Sequence, residues 1–579
     1  MFHFVRGRLS PLILALGSVL VLLAAGCGTN YYRKSADNEA YQTITSRAPR
    51  VPNMQTNFTI EQTNQLDLAG LPVAEQAQAF LGPAGTNETG ATRLSLEEAL
   101  DLAVKHSRSY QSAKEQLFLS ALSLTLARYQ FTPMFSGGGN ANINGQQYFA
   151  PGTTFQPDPN NPTNLVPVVS DNLVEQNQLN ANGTVNASWL IRDVGRLTAA
   201  FTADFSRFIS GGPSTLVASQ LGGTFTRPLL RNSGFKQEQE NLTQSEHNLL
   251  YALRTFTLFR KNFSVQIATA YYGVLGARDA VRNSYLNVQS SKIMGDRTRA
   301  LSQEGRNTQA DLGRIEQQEL SAESAWINAI RNYKQSLDNF KIQLGLSTDA
   351  RIVLDDRDLA QLSIRHPAIA PDDAIRVALA ARLDYQNSKD QAEDSKRQIK
   401  LAADSLKTQL DLVASANITS QPNQSSGFPV PKPELYNWNA GFNLDLPLNR
   451  KSQRNSYRAA LISAGQAARA VIQLEDDIKN QVRDNLRALE QAKRNYEIGV
   501  IGVKLAERRV EEQNLLAELG RARAQDQVDA QNALVDSKNQ LTQALVNHTI
   551  TRLQFWNSMG ILYIKDNGQW QEVSDGKRD

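Results

Sequence analysis

One cysteine, Cys27, stands in 579 residues, so the chain has no internal disulfide and gains nothing from an oxidising compartment. Histidine is nearly as scarce. His3, His106, His247, His366 and His548 are scattered, and no pair of them has metal-ligand spacing. Charge of one sign is missing too. The 61 Lys and Arg and the 57 Asp and Glu leave a net +4, which excludes the footprint of a nucleic-acid binder. The glycines at 137–139 and 211–212 lack the flanking residues of a phosphate loop, and no Ser–His–Asp order rises above chance. Neither an enzyme nor a cofactor is expected. After the N-terminus no apolar run reaches about 20 residues, so no spanning helix is available, and a chain that crosses a bilayer must do so as a barrel.

The N-terminus carries the one long apolar run. Arg6 and Arg8 precede Leu12 to Leu23, and Ala24-Ala25-Gly26-Cys27 follows, the pattern of a cleaved signal peptide over 1–26. This block resembles a bacterial lipobox, in which the cysteine is acylated and becomes the first mature residue. The resemblance implies a covalent lipid on Cys27. Ala24 stands where that family prefers Leu, and Gly28 in place of Asp implies the outer membrane. Residues 27–92 are polar, hold no lasting period, and read as a lipid-anchored extended arm, partly disordered.

Long helices dominate the rest. From Tyr457, Leu461, Ala468, Val482, Leu489, Tyr496, Val503, Val510 and Ala517 recur in sevens with only Glu475 breaking the set. Tyr457, Ala464, Val471, Ile478, Asn485, Ala492, Gly499, Ala506 and Gln513 form the companion set, most of it small or apolar. Such a seam asks a helix of roughly 100 Å to supercoil against neighbours. It stops at Glu518-Leu519-Gly520, and a second seam follows with Leu534, Leu541 and Phe555, so Gly520 marks a hairpin tip. The unit occurs twice. At an offset of 215, Gly520, Arg521, Asp526, Phe555 and Gly560 match Gly305, Arg306, Asp311, Phe340 and Gly345. At an offset of 275, Ala99, Ala103, Tyr110 and Lys114 match Ala374, Ala378, Tyr385 and Lys389. The first half is therefore 60 residues longer between its helix and its hairpin.

Those middles change period from 3.6 to 2. Phe135 to Ile143, Val185 to Trp189, Leu197 to Phe205, Leu410 to Ile418 and Trp438 to Leu446 alternate apolar or small residues with Asn, Ser and Thr, and a further strand lies near 221–227. Tyr148 to Gln178, rich in Pro, Asn and Gln, reads as a long loop, and Ser420 to Pro433 as a turn. Strands of about ten residues with one apolar face suit a membrane barrel with a wet interior. Four to six of them cannot close a barrel alone, so several copies must contribute.

A duplicated helix–strand–strand–hairpin chain resembles the TolC-like outer-membrane efflux factors over about residues 93–560. The resemblance is carried by Leu94-Ser-Leu-Glu-Glu-Ala-Leu100, by Pro228-Leu-Leu-Arg231, and by Glu518-Leu-Gly520 followed by Asp526 and Asp529. It implies a mainly α fold with transmembrane β: two long antiparallel helical hairpins forming an α-barrel tunnel, plus a β-barrel shared by a homotrimer. The first repeat is 93–345, with barrel strands about 133–230 and a tip near 305. A collar segment follows at 346–370. The second repeat is 371–560, with strands about 408–447 and a tip near 520, and a collar and tail close the chain at 561–579. The implied function is the outer-membrane duct of a tripartite efflux or type I secretion system, partnered by a periplasmic adaptor and an inner-membrane transporter, with the helices in the periplasm. Asp526, Asp529 and Asp311 are the candidate periplasmic gate. Gly305, Arg306, Leu519, Gly520 and Arg521 are the candidate adaptor-contacting tips. The rivals are a lipid-anchored periplasmic coiled-coil scaffold without a pore and a self-contained porin or outer-membrane enzyme.

Overall fold

A computed structural model describes residues 28–55, 57–61, 70–158, 161–210, 215–305, 308–421, 429–519 and 521–571. The chain divides into two compact units. One comprises residues 1–122, 248–391 and 467–579, and the other 123–247 and 392–466.

The second unit is built on one sheet. Its strands are β2 (Met134–Asp158), β3 (Asn161–Ile191), β4 (Gly195–Phe208), β5 (Leu216–Pro228), β7 (Gln409–Thr419) and β8 (Tyr436–Asp445). They pair antiparallel in the order β2-β3-β4-β5-β7-β8, so six strands form an open meander with β2 and β8 at its edges. Here the structure corrects the expected loop at Tyr148 to Gln178. Those residues prolong β2 and β3 into a single hairpin, with Tyr148 opposite Val174 and Phe155 opposite Pro167. Proline is tolerated because β2 is an edge strand and, beyond Asn177, β3 has no partner but β2.

The first unit contains the arm and most of the helices. The arm is not extended throughout. Thr29–Arg47 is an α-helix, α1, which buries Ala40, Thr43 and Ile44 along one face, and 3-10 turns at Ala48–Arg50 and Ala79–Asn87 follow. The i, i+3 and i+4 positions of that face are too few among polar neighbours to stand out in the sequence. Strand β1 (Thr92–Leu94) then runs parallel to β6 (Ile352–Leu354), tying the arm to the segment between the halves. Helix α2 (Leu96–His106) opens on Ser95, whose hydroxyl accepts from the Glu98 backbone N–H while the Glu98 carboxylate accepts from the Ser95 N–H.

The helical stretch that opens at Ser95 is broken at Ser107, where α2 gives way to α3 (Arg108–Tyr129). Ser107 adopts φ −65°, ψ 127°. Arg382, the same position 275 residues on, adopts φ −70°, ψ 124° between α7 (Pro371–Ala381) and α8 (Leu383–Asp404). Neither proline nor glycine causes these breaks. Each instead receives the C-terminus of a long hairpin. In the first half, α4 (Lys236–Gln303) and α5 (Gln309–Leu344) end at Gly345. In the second, α9 (Lys451–Glu518) and α10 (Ala524–Ser558) lead to Gly560. Between β6 and α7 lies the short α6 (Asp356–Ala360), and β9 (Tyr563–Ile564) pairs with β10 (Trp570–Gln571) beyond α10.

The heptad seam of α9 is buried where both sets meet neighbours: Ile478, Val482, Leu489, Ala492 and Ala506. Phe555, Trp556, Met559 and Leu562 join Ile478, Val482 and Leu489 with Ala374 and Ala378 of α7 in one core. Full burial of a side chain such as Phe555 contributes about 1.5–3 kcal/mol. Other apolar residues stay bare on this single chain. Ile498, Ile501 and Leu505 form an exposed stripe on α9, as do Leu320 and Ile327 on α5.

Candidate channel wall, hairpin tips and arm anchor

The alternation of each strand is set in register across the sheet. One row reads Gly137, Val185, Phe201, Leu221, Ile418, Tyr436 from β2 to β8. The next reads Phe135, Ala187, Ala199, Gly223, Ala416, Trp438. Except for Ile418, which is half-buried, their large members lie bare, from 39% for Phe201 to 76% for Phe135. Rows on the opposite face are mainly polar, with Ala200, Gly222 and Met134 as the exceptions. Ser136, Asn186, Ala200, Gly222, Asn417 and Asn437 form one; Met134, Ser188, Thr198, Thr224, Ser415 and Asn439 form another. Cross-strand pairs of this kind stabilise a sheet by a few tenths of a kcal/mol each, roughly 0.2–1. Ser206 Oγ donates to Asn180 Oδ1 at 2.8 Å within the polar face.

The ends of the sheet differ. At the end where α3 leads in and α9 leads out, β3 turns into β4 through only Arg192, Asp193 and Val194, with Asp193 at φ 58°. At the far end the connections are the prolonged β2–β3 hairpin, 209–215 and 420–435.

The tips occupy the ends of the long hairpins. Gly305 follows α4 at φ 73° and no Cβ built on it would meet an atom within 4 Å. Thr308 caps α5: its Oγ1 accepts from the Asp311 N–H at 3.1 Å and donates to Asp311 Oδ2 at 2.6 Å. On the second hairpin the Arg521 N–H reaches back five residues to the Leu516 carbonyl at 2.8 Å. Leu519 is 69% exposed there. Arg306 and Gly520 lie outside the described residues, as does Cys27.

Asp526 is half-buried in the first turn of α10, where an acid complements the helix dipole. Asp529 is exposed and accepts from Gln525 Nε2 at 2.9 Å. Neither makes an ion pair among the described residues. Helices α5 and α10 run side by side, joined by Gln318 Nε2 and Asn532 Oδ1 at 2.9 Å, so Asp311 and Asp526 share a level. The counterpart of Asp529 is Arg314, which makes the acidic group asymmetric between halves.

A further group holds the arm. Arg278 on α4 is 4% exposed. Its guanidinium donates to Glu88 Oε2 at 2.8 Å, to the Leu354 carbonyl and to Asp356 Oδ1, both at 3.2 Å. The Tyr333 hydroxyl donates to Glu88 Oε1 at 2.7 Å, and burial and then the Glu88 charge push its phenol well above the usual range. Trp326 Nε1 donates to the Phe80 carbonyl at 2.8 Å, and Arg278 and Arg282 lie over the Phe80 ring. Sequence reasoning missed this cluster. The available signal was Arg278 itself, a charge at an apolar spacing after Tyr271, Val274 and Leu275.

Two histidines approach each other in the same unit. The His366 and His548 rings are 6.2 Å apart. Burial holds the His548 imidazole at about 4, with Arg552, His366 and Lys493 adding to the effect. No group of three metal-ligating side chains occurs among the described residues, and no helix among them is long and apolar enough to cross a membrane.

No protein-family model matches the sequence, and no curated protein does. Solved structures do match. CusC, studied for folding and transmembrane channel formation, aligns with a TM-score of 0.58 at 12% identity over 80% of this chain and 92% of its own. The Campylobacter jejuni CmeC outer membrane channel gives 0.57 at 13% over 90% and 96%. The Neisseria gonorrhoeae MtrE outer membrane channel, in its open state, gives 0.55 at 13% over 87% and 99%. The fold is that of the TolC-like outer-membrane channels.

Proposed function

We propose that this chain, folded as an outer-membrane channel, is one protomer of a trimeric export duct that crosses the outer membrane and continues through the periplasm. The register-aligned sheet carries the reading: one face bare and apolar, the other polar, both edges open. A soluble sheet with that face uncovered aggregates, whereas lipid outside and water inside satisfy both faces. Its short turn and long far-end connections match periplasmic and outer sides of a barrel. The bare stripes of Ile498, Ile501 and Leu505 and of Leu320 and Ile327 are surfaces for neighbouring copies. An efflux or type I secretion role, with an adaptor and an inner-membrane transporter, extends this reading by resemblance.

The test is extraction of the protein from membranes, cross-linking, and planar-bilayer recording. An outer-membrane trimer that conducts is expected. A non-conducting oligomer selects the coiled-coil scaffold, and a conducting monomer selects the porin.

In the same recordings Asp526 and Asp529 are the proposed gate, with Asp311 beside them. Carboxylates ringed on one axis favour cations and bind multivalent ones. Trivalent cations are expected to block from the helical end. Asp526→Ala with Asp529→Ala weakens the block at least tenfold while changing stability by under about 1 kcal/mol, since Asp529 is exposed and the half-buried Asp526 loses only a helix-dipole contribution of about 0.3–1 kcal/mol. An unchanged block moves the constriction elsewhere.

The tips Gly305, Arg306, Leu519, Gly520 and Arg521 are the proposed adaptor contacts. Gly305→Trp with Gly520→Trp is expected to abolish export in cells at near-normal trimer yield; export that survives the pair excludes them as docking surface. Cys27 is the proposed lipid anchor. Cys27→Ser should remove labelling by radioactive palmitate, and retained label rules the anchor out.

A further inference from the structure

The sheet holds six strands from one chain, and the first hairpin is the one whose place in a barrel needs an argument. Two arrangements are open to it. In one, β2 and β3 stand apart from the wall, leaving β4, β5, β7 and β8 to be shared among copies. In the other, all six strands are wall.

Three observations separate them. The first is the β3–β4 ladder. It runs without interruption from Gln178 opposite Phe208 to Ile191 opposite Gly195, and is longer than β4–β5, β5–β7 or β7–β8. A hairpin that merely leaned on the wall would not be bonded to it along its full height. The second is that both faces continue through the junction. Val185 of β3 lies opposite Phe201 of β4, and Gly137 and Phe135 of β2 extend the same bare apolar rows, while Asn186, Asn182 and Asn180 continue the polar face opposite Ala200, Asp204 and Ser206. A strand pair folded into the lumen has no use for an apolar face on the lipid side. The third is the height. The paired length from Met134–Ser188 to Asn144–Gln178 matches β4, β5, β7 and β8, whose 14, 13, 11 and 10 residues suit one bilayer crossing.

We propose that each copy contributes all six strands, so that the edge strand β2 of one copy pairs with the edge strand β8 of the next, closing an eighteen-stranded barrel in the trimer. This rests on the shared-barrel reading above. With strands about 4.8 Å apart and tilted about 40°, eighteen enclose a backbone diameter of about 36 Å, against about 24 Å for twelve. A barrel of that strand number holds a water-filled channel. The duct's outer-membrane section is therefore wide enough for folded or bulky cargo, and selection falls to the helical end. The rest of β2 and β3, Gly145–Asp158 and Asn161–Asn177, extends beyond the wall on the side of the sheet opposite the β3–β4 turn, by roughly 45 Å at about 3.3 Å per residue.

Cysteine pairs decide between the two walls, and Cys27, the chain's single native cysteine, is carried alone as the background control. Single substitutions to cysteine at Ser136, Gly138, Asn140 and Asn142 of β2 are each combined with one at Asn437, Asn439, Gly441 or Asn443 of β8 in the full-length protein. A parallel set pairs Thr198, Ala200, Thr202 and Asp204 of β4 with the same β8 positions. After oxidation of intact membranes, covalent dimers and trimers are expected from β2–β8 pairs in one consecutive register and from no β4–β8 pair. Dimers from β4–β8 pairs, or from neither set, overturn the six-strand wall. Amine cross-linking of the same membranes reports the trimer independently: its absence removes the shared barrel itself, whereas its presence confines the failure to the strand count.

Discussion

Arg278→Ala is expected to lower the unfolding free energy by about 3–5 kcal/mol and to free the arm for proteolysis. The reason is burial. Arg278 and Glu88 are nearly inaccessible, and removing one member of such a pair leaves the other charge without its compensation. Glu88 keeps only the Tyr333 hydroxyl, and Leu354 and Asp356 each lose a donor. The arm is held at this point by side chains far apart in sequence, so its release should appear as rapid cleavage between residues 70 and 92 while the helical hairpins stay resistant. Arg278→Lys should recover only part of the loss, because an ammonium cannot fork to Glu88, Asp356 and the Leu354 carbonyl together. Arg278→Met with Glu88→Leu should be milder than Arg278→Ala, since no charge is left stranded. Tyr333 adds a pH signature. Its phenol ionises well above the usual value in the fold, so its contribution is complete below about pH 10 and is lost as pH rises beyond that, toward its folded value. Denaturant titration of the solubilised protein measures all three variants. A loss under about 1 kcal/mol for Arg278→Ala would place the network in water and not in the core.

What the sequence showed and what it hid divide along one physical line. Features with a short period were legible. The heptad sets around Val482 and Leu489 turned out buried, and the strand alternation gave the two faces of the sheet residue by residue. Features made by distant residues were not. Glu88 and Arg278 are 190 residues apart, and nothing local marks either as a partner. The breaks at Ser107 and Arg382 carry no proline or glycine and are imposed by the hairpin ends that pack on them. The prolonged β2–β3 hairpin was hidden for another reason. Its Pro, Asn and Gln read as a loop by composition, yet a hairpin whose register holds from Met134 to Pro157 extends by local pairing whatever its polarity. Of the candidate site, Asp311 and Asp526 proved to be first-turn acids, whose helix-dipole role the sequence could not distinguish from a gate.

A graded result is expected from alanine at three glycines that share one backbone conformation. Gly305, Gly345 and Gly560 have φ of 73°, 83° and 75°, in the region where any Cβ is strained. Their surroundings differ. A Cβ on Gly305 meets nothing within 4 Å. One on Gly560 sits 3.1 Å from the Ala381 carbonyl carbon and the Arg382 nitrogen, and one on Gly345 only 2.0 Å from the His106 carbonyl oxygen. Both of the latter close their helices with the same kind of bond, Leu346 N–H to the Lys341 carbonyl at 2.9 Å in one and Ile561 N–H to the Trp556 carbonyl at 3.3 Å in the other. Gly305→Ala should therefore lose about 1 kcal/mol, the backbone cost alone. Gly560→Ala should lose more, about 1–3 kcal/mol, because main chain and not a flexible side chain must yield. Gly345→Ala should exceed about 4 kcal/mol, since it cannot be accommodated without moving the α2–α3 break away from the end of α5. Chemical denaturation of the three variants gives the order directly. Equal losses at all three would mean that backbone conformation alone keeps these glycines, and that the contacts between hairpin ends and helix breaks do not hold each half together.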